Sequence, residues 1–243
     1  MPDSHSTVTA ESTHEHHHPA LRHHFDTMDQ QRDASSFGMW VFLITEIMFF
    51  GGLFAAYLIY RNMYYDAFVA ASRTTNIPLG AINTAVLIGS SLTMAMAVWS
   101  AQMGKRMLLV FFLIATIGLG GVFLGIKAKE YHDKWKDHHV PGPYYSTEEF
   151  VHPKPDSHEK PLPADMAAKT PIYFSLYFAM TVMHATHMII GIVIMFFLVY
   201  KAYHGAFTPG HYTMIENFGL YWHFVDIVWI YLFPLLYLIS GHK

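Results

Sequence analysis

Five stretches of this 243-residue chain are long, apolar and almost free of Asp, Glu, Lys and Arg: Phe37 to Tyr60, Pro78 to Ser100, Met107 to Ile126, Pro171 to Tyr200 and Phe218 to Ser240. Each holds at least 20 residues, enough for a helix to cross a hydrocarbon layer of about 30 Å at ~1.5 Å per residue. Membrane-spanning strands would instead alternate polar and apolar residues over about 10 positions, and these stretches do not. The predicted fold class is therefore all-α, an integral membrane bundle of five transmembrane helices. Composition agrees: apolar residues make up 53% and charged residues 14%, against about 25% charged in an ordinary soluble domain.

The connections are polar, and interfacial aromatics mark the ends of the spans: Tyr60, Tyr64 and Tyr65 after the first, Trp99 after the second, Tyr200 and Tyr203 after the fourth. Residues 1–36 read as a disordered His-rich polar tail, with too little apolar surface to offset chain entropy. No apolar run precedes a small-residue cleavage site in it, so it is not read as a signal peptide. Residues 37–243 form the membrane domain. Residues 128–170 are one long connection, rich in Pro and in both charge signs, expected as a surface excursion without a core of its own. The tail run His14-Glu15-His16-His17-His18 with His23-His24 has two readings, weak metal binding by several neutral imidazoles or an accident of composition.

The chain has no cysteine, which closes thiolate copper sites, iron–sulfur clusters and thioether-attached haem. A formal charge of −3 without a basic stripe gives no footprint for nucleic acid. Counting Lys and Arg leaves orientation unsettled. With the N-terminus inside, only Arg22, Arg32, Lys105, Arg106 and Lys201 lie in the cytoplasm, and the positive-inside rule points the other way. Seven of the remaining basic residues, however, lie in or beside the long connection, together with eight acids.

Ionisable groups inside the spans are costly and so informative. Glu46 falls near mid-span, where it must be neutral or partnered; it reads either as a proton-exchanging residue or as a hydrogen-bonded packing group. His184 and His187 are three apart on the fourth span, and His223 and Asp226 repeat that spacing on the fifth, which places each pair on one helix face. If the faces converged, these three imidazoles and two carboxylates would suit a metal. Interhelical hydrogen bonding explains them with less, and no metal is assigned to the chain. Asn83 and Thr84 are expected to bond to a neighbouring helix or to backbone carbonyls. Gly121 and Gly125, with Gly118 and Gly120, allow a close helix approach, and Trp222 and Trp229, seven apart, share one helix face as packing residues.

Several of these runs together resemble subunit III of the haem–copper respiratory oxidases. Tyr221-Trp222-His223-Phe224-Val225-Asp226-Ile227-Val228-Trp229 is similar to that family's last-helix signature. Met183-His184-Ala185-Thr186-His187-Met188-Ile189-Ile190-Gly191 resembles its His-x-x-His-x-x-x-Gly helix, and Thr45-Glu46-Ile47-Met48-Phe49-Phe50 its acidic helix. Ile82-Asn83-Thr84-Ala85-Val86-Leu87 and Lys129-Glu130-Tyr131 match two further landmarks in the family's order. The resemblance spans about residues 37–242 and fits the five-helix bacterial form, since only a hydrophilic tail precedes Phe37.

The resemblance implies a non-catalytic subunit with no haem or copper of its own, those cofactors sitting in partner subunits, and with bound phospholipid. It implies direct packing on oxidase subunit I near its proton-uptake and oxygen routes, further contacts with subunit II and a small subunit IV, and a place in a larger respiratory supercomplex. Glu46 becomes the family's buried carboxylate, grouped with Asp226. His184, His187, His223, Asn83, Glu130, Trp222 and Trp229 become interhelical polar or lipid contacts. The implied location is the bacterial cytoplasmic membrane, with the N-terminus cytoplasmic and the 128–170 connection and C-terminus periplasmic. That connection exceeds the family's usual length and is expected as a docking surface. The leading function is an accessory subunit of a proton-pumping cytochrome c oxidase. The alternatives are a related subunit of a nitric-oxide reductase, a stand-alone proton channel or transporter, and a membrane metalloenzyme.

Overall fold

The computed structural model of the chain describes residues 25–153 and 161–239; the His14–His24 cluster falls outside them. In order, the helices are α1 (Met28–Met63), α2 (Tyr65–Arg73), α3 (Ile77–Gln102), α4 (Arg106–Lys136), α5 (Glu148–Val151), α6 (Ala164–Ala167), α7 (Thr170–Tyr203) and α8 (Thr213–Tyr237). Among the described residues five helices, α1, α3, α4, α7 and α8, are long and apolar enough to cross a membrane. The chain is a multi-pass, all-helical membrane protein.

Two boundaries differ from the sequence reading. Residues 28–36, assigned to the polar tail, are the first turns of α1. The cause is local: Thr27 Oγ1 accepts from the Gln30 N–H at 3.1 Å, and Gln30 Oε1 accepts from the Asp26 N–H at 2.8 Å. This Thr-x-x-Gln exchange satisfies end donors that the apolar pattern alone does not reveal. At the other end of the bundle, α4 runs to Lys136, so nine residues assigned to the long connection are helical.

The remainder of that connection does not simply skirt the surface. His139 stacks on Phe174 with ring centres 5.0 Å apart, and its Nε2 lies 3.0 Å from Glu149 Oε2. Phe150 is buried beside the same ring, and the Tyr145 and Thr170 hydroxyls are 2.7 Å apart. His139, Tyr145 and Phe150 thus dock this part of the connection onto the start of α7 as an extension of the bundle's core, where a surface excursion was expected.

The buried positions of the bundle follow one rule. On α3 they are Gly80, Asn83, Leu87, Ser90, Met94, Ala97 and the adjacent Ser100 and Ala101; on α4 they include Leu113, Thr116, Gly120, Phe123, Lys127, Glu130 and Lys134. Steps of three and four alternate throughout, and on α1 Leu43, Phe50 and Tyr57 are seven apart. This is the repeat of near-parallel helices wound left-handed around one another. Because the outward faces are equally apolar, hydrophobicity does not mark the inward face; small and polar residues do, as expected where lipid removes the hydrophobic drive between helices.

Neighbouring pairs α3–α4, α4–α7 and α7–α1 pack side by side, and α8 packs against α1, α3 and α7. Two tight turns close one end of the bundle. Gly104 (φ +67°) and Gly205 (φ +74°) take the left-handed conformation, and the next N–H groups, of Lys105 and Ala206, return to Ser100 O at 2.9 Å and Lys201 O at 3.1 Å. The opposite end carries α2 and residues 137–153 and 161–169.

Candidate functional site

Glu46, midway along α1, meets His187 of α7. Its Oε2 is 3.0 Å from His187 Nε2, and the side chains are 19% and 13% exposed. His187 Nδ1 lies 2.9 Å from the Met183 carbonyl, which only accepts, so Nδ1 carries a hydrogen. One further proton therefore lies between Nε2 and Oε2, whether the pair is written as carboxylic acid and imidazole or as carboxylate and imidazolium. The pair is neutral overall, which makes it tolerable at this depth. Phe50 covers the imidazole at 5.3 Å, and the Tyr221 O–H donates to the His187 carbonyl at 2.8 Å.

This pair lines a cleft of about 1070 Å³ between α1, α7 and α8. Phe42, Ile190, Ile194 and Phe197 supply apolar wall, while Asp29, Arg32 and His211 line its other end. Arg32 and Glu46 are 14 residues apart on one helix, roughly 21 Å along its axis.

His184 goes elsewhere. It is buried between Phe123 of α4, at 5.4 Å, and Trp229 of α8, at 5.2 Å, and neither ring nitrogen has a hydrogen-bond partner. The expectation that it forms an interhelical hydrogen bond is corrected: rings, rather than donors, surround it. His223 Nδ1 is 2.7 Å from Ser91 Oγ, and buried Asp226 lies beside the same hydroxyl. The five groups do not converge on one point; they occupy three separate places in the bundle. Asn83 likewise has neither amide atom hydrogen-bonded, contrary to expectation, whereas Thr84 donates to Gly80 O at 2.9 Å.

Trp222 and Trp229 tie four helices together. Trp222 Nε1 donates to Ser90 Oγ at 2.9 Å and Trp229 Nε1 to Thr84 Oγ1 at 3.1 Å, both across to α3. Their ring bodies fill space on α4 and α7. A Cβ added to Gly191 would fall 2.9 Å from the Trp222 ring, and one added to Gly120 would fall 3.2 Å from it. Gly118, Gly121 and Gly125 meet nothing within 4 Å. The close approach in α4 is therefore made at Gly120, and the Gly121–Gly125 pair faces outward.

One buried centre was missed by the sequence reading except for Glu130. Lys127 Nζ donates to Glu130 Oε2 at 2.8 Å, to Tyr177 Oη at 3.1 Å and to Tyr237 Oη at 3.0 Å. The two phenols donate in turn to Glu130 Oε1 at 2.7 and 2.6 Å. Nζ also sits 4.9 Å from the Trp229 ring centre, and Lys134 lies over Phe174 and Tyr177. Lys127 and Lys134 had been counted as charges of the outer connection; both are buried and carry no weight in that count. Nearby, Tyr57 and Tyr173 donate to the carbonyls of Leu235 and Leu236 at 2.7 and 2.9 Å, in the last turn of α8, where side-chain donors commonly cap the helix.

Outside the spans, burial beside Phe174 holds the His139 imidazole below the ordinary histidine range, against the opposing pull of Glu149. Burial also pushes the Tyr145 phenol up to about 12, so it stays protonated for its contact with Thr170.

A family profile described as Cytochrome c oxidase subunit III matches residues 162–241, the segment that supplies His187, Trp222, Trp229, Tyr177 and Tyr237. A probable cytochrome c oxidase subunit 3 of Nocardia farcinica is 30% identical over 204 residues, covering 84% of this chain and 87% of that relative. Cytochrome c oxidase subunit 3 of Thermostichus vulcanus is 28% identical over 220 residues, 88% of this chain and 92% of the relative. A probable quinol oxidase subunit 3 of Staphylococcus aureus is 27% identical over 218 residues, with 88% and 94% covered. At 30% identity over most of both chains, the chain belongs to the cytochrome c oxidase subunit III family.

Proposed function

We propose that this chain is the accessory, non-redox subunit of a proton-pumping terminal oxidase, a cytochrome c oxidase that reduces oxygen to water. It stabilises the catalytic subunit, holds phospholipid and supports proton uptake. The haem and copper belong to partner subunits: subunit I in direct contact, with subunit II, a small subunit IV and a larger respiratory assembly beyond. The membrane is the bacterial cytoplasmic membrane, with the N-terminal tail, the α3–α4 turn and the α7–α8 turn in the cytoplasm and the 137–169 segment in the periplasm. Relatives named as cytochrome c oxidase and as quinol oxidase subunits match this chain to similar extents, which supports assigning the choice of electron donor to the other subunits.

The observation that carries the reading is the cleft between α1, α7 and α8. Its apolar wall suits an acyl chain, Arg32 and His211 suit a phosphate at the mouth, and Glu46 and His187 lie about one acyl-chain length inward. A proton on that pair is sheltered from water yet beside a lipid-filled passage, where it supplies or buffers protons for the neighbouring subunit. Glu46→Gln keeps the shape and removes the exchangeable charge, so proton-coupled turnover of the purified oxidase is expected to slow or its inactivation to hasten. Ile194→Trp, which narrows the cleft, is expected to lower the phospholipid extracted per chain. Unchanged turnover and lifetime in the first variant would reduce Glu46 to packing, and unchanged lipid in the second would remove the lipid role.

A further inference from the structure

His184 sits between the two ionisable centres of the bundle and joins neither. On one side of it along α7 is His187, paired with Glu46 beside the cleft that runs to Arg32 and His211. On the other is Tyr177, which with Tyr237 binds the Lys127–Glu130 pair. Deepening the proposed proton role of Glu46 and His187, we propose that Phe123, Met180, His184 and Trp229 form an insulating layer across the bundle, which confines proton exchange at Glu46 to the membrane face carrying Arg32 and His211.

The layer is continuous. The Phe123 and Trp229 rings meet edge to face with centres 4.8 Å apart, and the His184 ring lies 5.4 Å from the first and 5.2 Å from the second. Lys127 Nζ is 4.9 Å from the Trp229 ring centre, and Phe123 stands one turn from Lys127 on the same face of α4. These rings therefore occupy the direct way from Lys127 to His184. On α7 the steps from Tyr177 to Met180 to His184 keep to one face as well, so Met180 fills the interval there. Phe123, Met180 and Trp229 are wholly buried.

Hydrogen bonding breaks at this layer. A proton relay needs each group to donate to the next or accept from it. Neither nitrogen of His184 has a partner. Both nitrogens of His187 are engaged, Nδ1 at the Met183 carbonyl and Nε2 at Glu46. The Thr181 hydroxyl, one turn before His184, donates to Tyr177 O at 2.7 Å. From the far side, Lys127 uses its three donors on Glu130, Tyr177 and Tyr237. Each centre is thus closed toward the other. The separation has a consequence because the interval is short: Tyr177 and His187 are about 15 Å apart along α7, in a hydrocarbon layer of about 30 Å. A proton crossing it would discharge the membrane potential without doing work.

Passive proton entry into closed vesicles tests this, with the full chain purified in its assembly from native membranes, a potassium diffusion potential as the drive, a trapped pH dye as the readout and no electron donor. Phe123→Asn exchanges a ring for an amide and admits water beside the imidazole. It is expected to raise the rate by roughly tenfold, about the barrier that one hydrogen bond removes. Adding Glu46→Gln is expected to restore the unsubstituted rate, which it would not do for a nonspecific hole. Met180→Gln, close to methionine in shape, is expected to leak in the same way and carries the test where Phe123→Asn fails to fold. His184→Phe is expected to stay tight. Polar variants that assemble and leave the vesicles tight, a leak that survives Glu46→Gln, or a leak in His184→Phe would overturn the proposal. Haem-containing assemblies that stay tight with the polar variants defeat this inference alone; assemblies without haem defeat the oxidase reading and leave the leak measurement standing.

Discussion

One added methyl group separates the two glycine patterns of this bundle. At Gly191 a Cβ would stand 2.9 Å from Trp222 and 3.1 Å from Tyr221, whereas at Gly121 it would meet nothing within 4 Å. Gly191→Ala is therefore expected to push α7 off α8 at a cost of about 1–3 kcal/mol, lowering the melting temperature of the purified protein in detergent. Gly121→Ala is expected to leave it unchanged or raise it slightly, since alanine favours the helix by about 1 kcal/mol. Equal effects of the two would mean that the Trp222 packing described here is wrong. The glycine spacing in the sequence suggested close approach but not which face makes it, because that depends on where a tryptophan from another helix arrives. Glu46 and His187 were legible as costly groups, but their pairing was not. Nothing local to α1 states which helix faces it.

At the scale of elements, the charged end of α4 shows what apolar patterning conceals. The spans were visible because length and charge-free composition are one-dimensional properties. Lys127 and Lys134 were read as belonging to water because lysine usually does, and because the tyrosines and tryptophan around Lys127 come from α7 and α8. The signal was nonetheless present. Extending the three-and-four rhythm of Leu113, Thr116, Gly120 and Phe123 leads directly to positions 127, 130 and 134. Removing one partner of such a pair strands the other, so Lys127→Met is expected to cost about 3–5 kcal/mol. Lys127→Met with Glu130→Leu is expected to cost less than the single change, a difference that thermal unfolding of the four members of the cycle measures. A double variant as unstable as the sum of the singles would deny the coupling.

The 137–169 segment makes a prediction in pH. His139 is neutral where it stacks on Phe174, and burial depresses its affinity for a proton relative to the released segment. The released form thus binds more protons as pH falls. Docking is at full strength above the ordinary histidine value of about 6.5 and weakens below it. The protection of the amides of residues 139–150, measured as exchange relative to the intrinsic rate at each pH, is expected to fall on going from about pH 7.5 to pH 5, and His139→Phe to abolish most of the fall. Protection indifferent to pH in the unsubstituted chain would contradict the stacked geometry.

The whole molecule is a bundle whose inward face sets small and polar residues among buried tryptophans, tyrosines and phenylalanines and whose outward faces are apolar, the arrangement of a protein meant to be surrounded by lipid and by other helices. Two ionisable pairs are settled internally, Glu46 with His187 and Lys127 with Glu130; buried Asp226 lies beside Ser91, and His184 has only rings around it. Nothing in the described residues gathers the histidines and acids around a metal; each imidazole within the spans is held singly by a carboxylate, a hydroxyl or aromatic rings. The proposed function would use this interior as shape, lipid contact and protonatable groups beside chemistry performed in another subunit. The sequence conveyed that architecture through span count and motif order, while the assignment of faces required the helices to be packed together. The most direct measurement is the visible spectrum of material purified from native membranes through a tag on this chain, before and after the chain is separated from its companions. Haem absorbance that co-purifies with a large membrane subunit and stays with that subunit on separation is the predicted result; a colourless preparation without companions, or haem that follows this chain, would contradict it.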